Sequence, residues 1–578
     1  MRFSTSIAFV VTALISRGFS SYAPVPITCP SGSLVRIATG LSDDEEAFRV
    51  ARKAKADVAL AAWLDKTNSG FDTACELPTV ALTSSGGGYR ALLIGAGLIQ
   101  ALDGRDSNVS TSGLYQGLTY HSALSGGAWL LSSFLANDFS TISTLVETWK
   151  PAFANGLFDP EGSNSSAVFA SISVDIAAKK AAGFKGTVAD AWSRLLSLQL
   201  LPGDNFGVSN TLSKIARLSS FVDHEIPYPI ITALNVDLSG TSCVPPANAS
   251  VWEFTPFEFG TWDPLVAAFT PTGFLGSSLS AGFPVSSNSC TTNYDNLGFV
   301  LGTSSTLFQD PTLGAAGTPP VLLSNLCTVA TNTNATTDPL TAEFVQDVVS
   351  LLVEIPAITF TSAGDLFANW PNPFYNLSSA PLVSTQQNLS MVDGGESLQV
   401  NPIFPFLLPD RNVSVILVND NDGDTATIYP NGAELRATYE AALAAGLTRM
   451  PFVPTSDVFV AQNMTFAPVF FGCGDSTTAT VVWIPNAPLT PAGGAIETAQ
   501  TQINVTQTES MIANGVAVMS QNDSAEWATC LGCAIMEGTG STLPDECEAC
   551  FSQYCFTEEA VEVVVEVVEV VEVVCDSE

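Results

Sequence analysis

Histidine is almost missing from this chain. Its 578 residues include two, His121 and His224, so a catalytic base of the usual imidazole kind has to be one of them. Basic residues are also few: 20 lysines and arginines stand against 56 aspartates and glutamates, for a net charge of −36. So acidic a chain repels phosphate polymers and anionic lipid surfaces, which argues against nucleic acid as a partner. Its self-repulsion eases only where carboxylates neutralise, near about pH 4, which hints at an acidic working environment. No window supplies the ~20 uncharged apolar residues of a membrane span. Between Pro24 and about Phe556 there is no linker, repeat or long charge run.

What is present describes an exported globular protein. Hydrophobic residues make up 46% of the chain, with glycine and proline spread throughout, enough for a large core. Length alone allows three or four average domains, but only as a prior. At the amino terminus Arg2, the short apolar run 7–15 and small residues from Ser20 to Ala23 read as a secretory leader over residues 1–23. Ten Asn-x-Ser/Thr sequons follow, at Asn108, Asn164, Asn248, Asn334, Asn376, Asn388, Asn412, Asn463, Asn504 and Asn522, and predict surface glycans on a secreted, extracellular product. All twelve cysteines lie beyond the leader, an even number suited to an oxidising compartment. Residues 24–556 then form one catalytic unit, and 557–578 a separate acidic tail. Val561 to Val574 in that tail is almost only valine and glutamate, and its charges rule out a lipid-anchor signal.

Strands, glycine turns and helices alternate along the central region, which predicts an α/β fold with a central mixed sheet flanked by helices. Strands are expected at 79–83, 118–124, 230–238 and 413–418, and helices at 90–102, 128–136 and 433–445. The chemistry concentrates at two strand-to-helix turns. Gly86-Gly87-Gly88 follows the first strand, and such a run can aim several backbone amides at one anion. It lacks the Gly-Lys-Ser/Thr ending and Rossmann spacing of nucleotide sites. Arg90, two residues on, is placed to meet a phosphate, although a tight turn with a surface arginine has the same sequence. Ser125-Gly126-Gly127 marks the second turn, where a serine hydroxyl is exposed and helix amides favour a developing oxyanion.

Histidine is poorly placed to activate Ser125. His121 lies four residues upstream, about 13 Å away along an extended strand, which makes it structural. His224 sits in Asp223-His224-Glu225, a surface-like segment. A carboxylate acting directly on the serine is therefore favoured, with a Ser125–His224 esterase triad as the rival. Asp420 to Asp424 superficially resembles a calcium loop, but glycine stands fourth instead of sixth and Asn431 replaces the twelfth-position glutamate. Cys530-x-x-Cys533 and Cys547-x-x-Cys550 have zinc-ribbon spacing. In a secreted chain, with Cys555 nearby, disulfides are favoured over zinc.

Three motifs together resemble the fungal lysophospholipase/phospholipase B family, a relative of the catalytic module of cytosolic phospholipase A. They are Ser85-Gly86-Gly87-Gly88-Tyr89-Arg90-Ala91, Leu124-Ser125-Gly126-Gly127 and Met391-Val392-Asp393-Gly394-Gly395-Glu396. The likeness runs in order from Tyr22-Ala23-Pro24 and Cys29-Pro30, through Gly302-Thr303-Ser304-Ser305 and Tyr429-Pro430-Asn431-Gly432. It continues in Phe471-Gly472-Cys473 and Trp483-Ile484-Pro485-Asn486, and reaches Cys530-Leu531-Gly532-Cys533-Ala534-Ile535. The resemblance implies a Ser125/Asp393 dyad without a cofactor, Gly87 and Gly88 amides as the oxyanion hole, and Arg90 on the head-group phosphate. It implies lysophospholipids and phospholipids as substrates, met through transient contact with lipid interfaces. Ala123 departs from the pattern, because the family has glycine there, and a methyl would crowd a turn of positive φ. That departure and the tail support a second rival, a non-catalytic lipid-binding glycoprotein.

Overall fold

The computed structural model describes residues 21–161, 164–239, 243–309, 362–423 and 425–557, with positions 354, 355, 357 and 358. The leader up to residue 20, Asn334 and the Val/Glu tail lie outside the described residues. The chain enters through β1 (Val25–Ile27) and β2 (Arg36–Ile37). The apolar runs then become β3 (Val80–Ser84), β4 (Leu118–Ala123) and β5 (Tyr228–Val236). A meander of β6 (Val251–Phe254), β7 (Glu258–Thr261) and β8 (Ala268–Pro271) follows. Next come a small hairpin of β9 (Leu279–Ser280) and β10 (Phe283–Pro284), and β11 (Cys290–Thr292), which pairs with β1. The later strands are β12 (Ala368–Pro371), β13 (Asn388–Asp393), β14 (Val415–Asp420), β15 (Val469–Phe471) and β16 (Thr480–Pro485).

Twelve of these strands join one mixed sheet, ordered β15-β16-β14-β3-β4-β5-β6-β7-β8-β2, with β13 and β12 branching from β5. The centre, β16-β14-β3-β4-β5, is parallel, and its strands are buried along almost their whole lengths, as strands covered on both faces are. The expected elements at 79–83, 118–124, 230–238, 413–418 and 433–445 all form, displaced at their ends by one to a few residues. The antiparallel meander was not anticipated from sequence, because its four-residue strands carry no clear alternation.

Helices flank the sheet. α1 (Asp43–Thr67) starts where the Ser42 side chain accepts the Glu45 amide, with four acidic residues in its first turn facing the positive helix end. α2 (Gly88–Leu102) and α3 (Ser125–Ala136) leave β3 and β4 and are buried along almost their whole lengths. Further helices used below are α4 (Val188–Leu200), α5 (Leu297–Thr303), α6 (Ala433–Ala444), α7 (Val505–Ser520), α8 (Ala525–Met536) and α9 (Glu546–Tyr554). Among the described residues no helix is long and apolar enough to cross a membrane.

Several internal ties hold segments together. Arg411, fully buried, donates from Nε and Nη2 to Glu45 of α1 and from Nη1 and Nη2 to Glu253 of β6. At the carboxyl end Cys530–Cys550 and Cys533–Cys547 join α8 to α9, so the zinc-like spacing belongs to disulfides. Cys29–Cys290 and Cys473–Cys555 add longer closures. Tyr22 is already part of the fold: it is 3% exposed, and its hydroxyl donates to Asp190 on α4 at 2.8 Å. A leader ending at residue 23 would therefore carry away a buried side chain.

Candidate active site

β5 has nine residues, more than β4 needs. Its first half pairs in parallel with β4, ending at Ala123↔Ile231. Its second half pairs antiparallel with β13, ending at Asp393↔Ala233. The carboxyl ends of β4 and β13 thus run toward each other along β5, two residues apart. Ser125 and Asp393 meet because each stands at one of those ends.

The turn after β4 holds Ser125 at φ +50°, a left-handed conformation that side chains seldom adopt. Strain of this kind costs on the order of 1–3 kcal/mol and persists only where neighbours enforce it. Here Ser304 does so, accepting the Ser125 amide with both its carbonyl and its hydroxyl oxygen, each at 3.0 Å. Gly126 and Gly127 permit the close approach: a Cβ would stand 2.1 Å from the Gly88 carbonyl and 2.3 Å from that of Ser84. Ala123 lies in β4, outside the positive-φ turn, and its methyl is buried in the core. The crowding expected from replacing glycine therefore does not arise.

Asp393 is buried, and its Oδ1 accepts the Gly395 amide at 2.8 Å. Ser125 stands beside the same carboxyl and favours its ionised form. Burial pushes this group up to about 6, and the neighbouring Ser125 hydroxyl and the Gly395 amide hold it from rising further. The segment after α5 fixes both partners. Ser304 O also accepts the Gly394 amide, Thr306 O accepts that of Asp393, and the Ser304 hydroxyl donates to Thr232 O at 2.7 Å. Sequence reasoning assigned these serines and this threonine no role. A Gly-Thr-Ser-Ser turn carries no chemical signature, and only its place in the family pattern marks it.

The glycine loop faces the same point. Gly87 and Gly88 have φ of +124° and +57°, and neither amide has an acceptor among the described residues. Gly86 N instead donates to Val400 O, anchoring the loop to the segment after Asp393. Gly88, Tyr89, Ser125, Trp129, Trp192 and Leu307 line a narrow cleft of about 30 Å³. Ser305 accepts the indole N–H of both tryptophans, at 2.9 and 3.0 Å.

Arg90 is not displayed toward this cleft. It is 1% exposed and donates to Asn421 O, Ile496 O and Thr498 Oγ1. The cation expected on a phosphate is here a three-way tie between α2, the loop after β14 and the segment at 496–498. That loop, the calcium look-alike, spends its groups inward: Asp420 accepts the Trp483 indole and the Asp422 amide, and Gly423 packs under the Arg90 guanidinium.

Neither histidine reaches Ser125. His121 is buried between Ser84 Oγ (2.9 Å) and Tyr115 OH (3.1 Å), and burial pushes its ring down to about 3, so it stays neutral. His224 precedes the amino end of β5, whereas Ser125 follows the carboxyl end of the parallel β4. The triad through His224 therefore has no geometry.

The family model for the lysophospholipase catalytic domain matches residues 80–561. Lysophospholipase 1 of Aspergillus fumigatus is 35% identical, aligned over 93% of this chain and 87% of its own. Lysophospholipase 1 of Saccharomyces cerevisiae is 32% identical over 93% and 84%. The fold is similar to that of human GIVD cytosolic phospholipase A2, with a TM-score of 0.65, 18% identity, and coverage of 89% of this chain and 72% of that one. On that breadth of likeness the chain belongs to the lysophospholipase/phospholipase B family and is a hydrolase.

Proposed function

We propose that the protein is a secreted, glycosylated enzyme that releases fatty acids from lysophospholipids and diacyl phospholipids through an acyl-enzyme on Ser125. The observation that carries this reading is the strained Ser125 standing beside the buried carboxyl of Asp393, on a cleft that Gly88 also lines. Asp393 takes the hydroxyl proton as Ser125 Oγ attacks the acyl carbonyl carbon. The oxyanion forms against the two amides, which are already in place and need no reorganisation. As the tetrahedral centre collapses, the ester C–O bond breaks and the glycerol oxygen takes the proton from Asp393. Water then attacks the acyl-enzyme, giving its proton to Asp393, and Ser125 recovers that proton as the fatty acid departs. The other product is the glycerophospho-alcohol.

Export is supported by the nine sequon asparagines within the described residues, every one of them exposed. Four disulfides among the described residues suit the same compartment. The test is fatty-acid release from lysophosphatidylcholine by wild type, Ser125→Ala, Asp393→Asn and His224→Ala. Loss by several orders of magnitude in the first two variants, with the third unchanged, is expected. Full activity in Ser125→Ala would sink the proposal.

A further inference from the structure

One side of the Ser125 cleft is aromatic, and its polar tips are all engaged by protein. Trp129 stands one helical turn beyond Ser125 on α3, and Trp192 comes from α4. Their rings meet edge to face, with centroids 5.8 Å apart. Ser305 Oγ accepts both indole N–H groups, at 2.9 and 3.0 Å, and donates its own proton to Leu301 O at 2.9 Å. A serine hydroxyl has one donor and two acceptor sites, so this one is fully used. Tyr89 packs on Trp129 with centroids 5.4 Å apart, and its hydroxyl donates to Gln199 Oε1 on α4.

Each aromatic donor on this side is therefore spent. With Leu307 beside them, the rings offer a substrate carbon and no hydrogen-bond donor. A glycerol or phosphate oxygen would shed its water there without a replacement, which is costly, whereas methylene groups lose nothing. Size narrows the choice further. The cleft's volume of about 30 Å³ takes about two or three groups of water or methylene size. That is the stretch of an acyl chain next to its carbonyl, with no room for a branch.

We propose that Ser305 is a specificity-determining positioning residue. By holding both indole N–H groups it sets a carbon wall that admits only unbranched acyl carbons beside Ser125. The inference deepens the reading of Ser125 as nucleophile and rests on it. Without the Ser305 hydroxyl, two buried N–H groups lose their acceptor at once, and the rings leave their places.

The test compares kcat/KM for p-nitrophenyl hexanoate and p-nitrophenyl 2-ethylhexanoate, each divided by that ester's own alkaline hydrolysis rate. Wild type is expected to favour the straight chain by at least about a hundredfold. Ser305→Ala should cut that preference at least about tenfold, while Ser305→Thr, which keeps the hydroxyl, holds it within about threefold. Trp192→Leu opens the wall directly and should lose the preference too; it serves if thermal unfolding shows that Ser305→Ala does not fold. No preference in wild type overturns the proposal. So does a full preference in folded Ser305→Ala or Trp192→Leu, or a Ser305→Thr variant no more selective than Ser305→Ala. A general structural defect slows both esters alike and leaves the ratio in place, so it counts against the proposal. Ser125→Ala separates the two readings. If it is inert, the ratios alone decide; hydrolysis that persists in it overturns the mechanism and this inference together.

Discussion

Asp393 sits where ionisation is costly, since burial lifts its carboxyl to about 6 even with the Gly395 amide donating to it and Ser125 alongside. A general base works only when ionised, so its active fraction falls tenfold for each pH unit below that value. kcat/KM should therefore climb with unit slope up to about pH 6 and level off above it. A rate profile that is flat or falling from pH 4 to 7 would exclude this carboxyl as the base. The acidic workplace suggested by the net charge concerns self-repulsion; on the proposed mechanism the rate answers to this one buried group. Arg90 invites a different test. If its role is to tie the glycine loop to the wall, Arg90→Lys loses the planar fork and misplaces the oxyanion amides. Hydrolysis of lysophosphatidylcholine and of a neutral short-chain ester should then fall together, by about a hundredfold. A direct phosphate contact would instead raise KM for the phospholipid and spare the neutral ester. At this scale Ser125 and the glycines were legible from their turns. Asp393 was legible only by family pattern, because an aspartate before two glycines is an ordinary turn.

The elements explain why the rest stayed hidden. β5 receives two strand ends on one edge, and nothing in Tyr228–Val236 announces that its second half pairs with residues far downstream. Long-range antiparallel pairing leaves no local periodicity. Central parallel strands, by contrast, were plain as apolar runs between glycine turns. The amino-terminal segment carries a prediction of its own. Tyr22 lies under Asp190 and beside the Lys179 and Arg194 cations, and β1 follows three residues later. Leader removal should fall upstream of Tyr22, and Gly18-Phe19-Ser20 supplies the small residues such a cut needs. If the protein is exported as proposed, sequencing its mature amino terminus should find Ser21 or an earlier residue; a start at Pro24 would contradict the seating of Tyr22.

The whole molecule is held by contacts that cross it. Arg411 joins a helix near the start, a meander strand and a late turn through two carboxylates buried with it. Replacing it by methionine leaves Glu45 and Glu253 facing each other without a cation, at a cost of roughly 3–5 kcal/mol. The expected readout is a lowered Tm with more exposed apolar surface; an unchanged Tm would mean the pair had been neutral in the native state. A scattered apolar composition foretold a large core, but it could not foretell which charges would be folded into that core. The head-to-head ends of β4 and β13 have a further consequence. Neither half of the chain owns a reactive serine: one half holds a hydroxyl in a strained turn, the other an acid with nothing to deprotonate. On the proposed mechanism activity is therefore a property of the completed chain, and a product truncated before Asp393 is inert toward lipid rather than partly active.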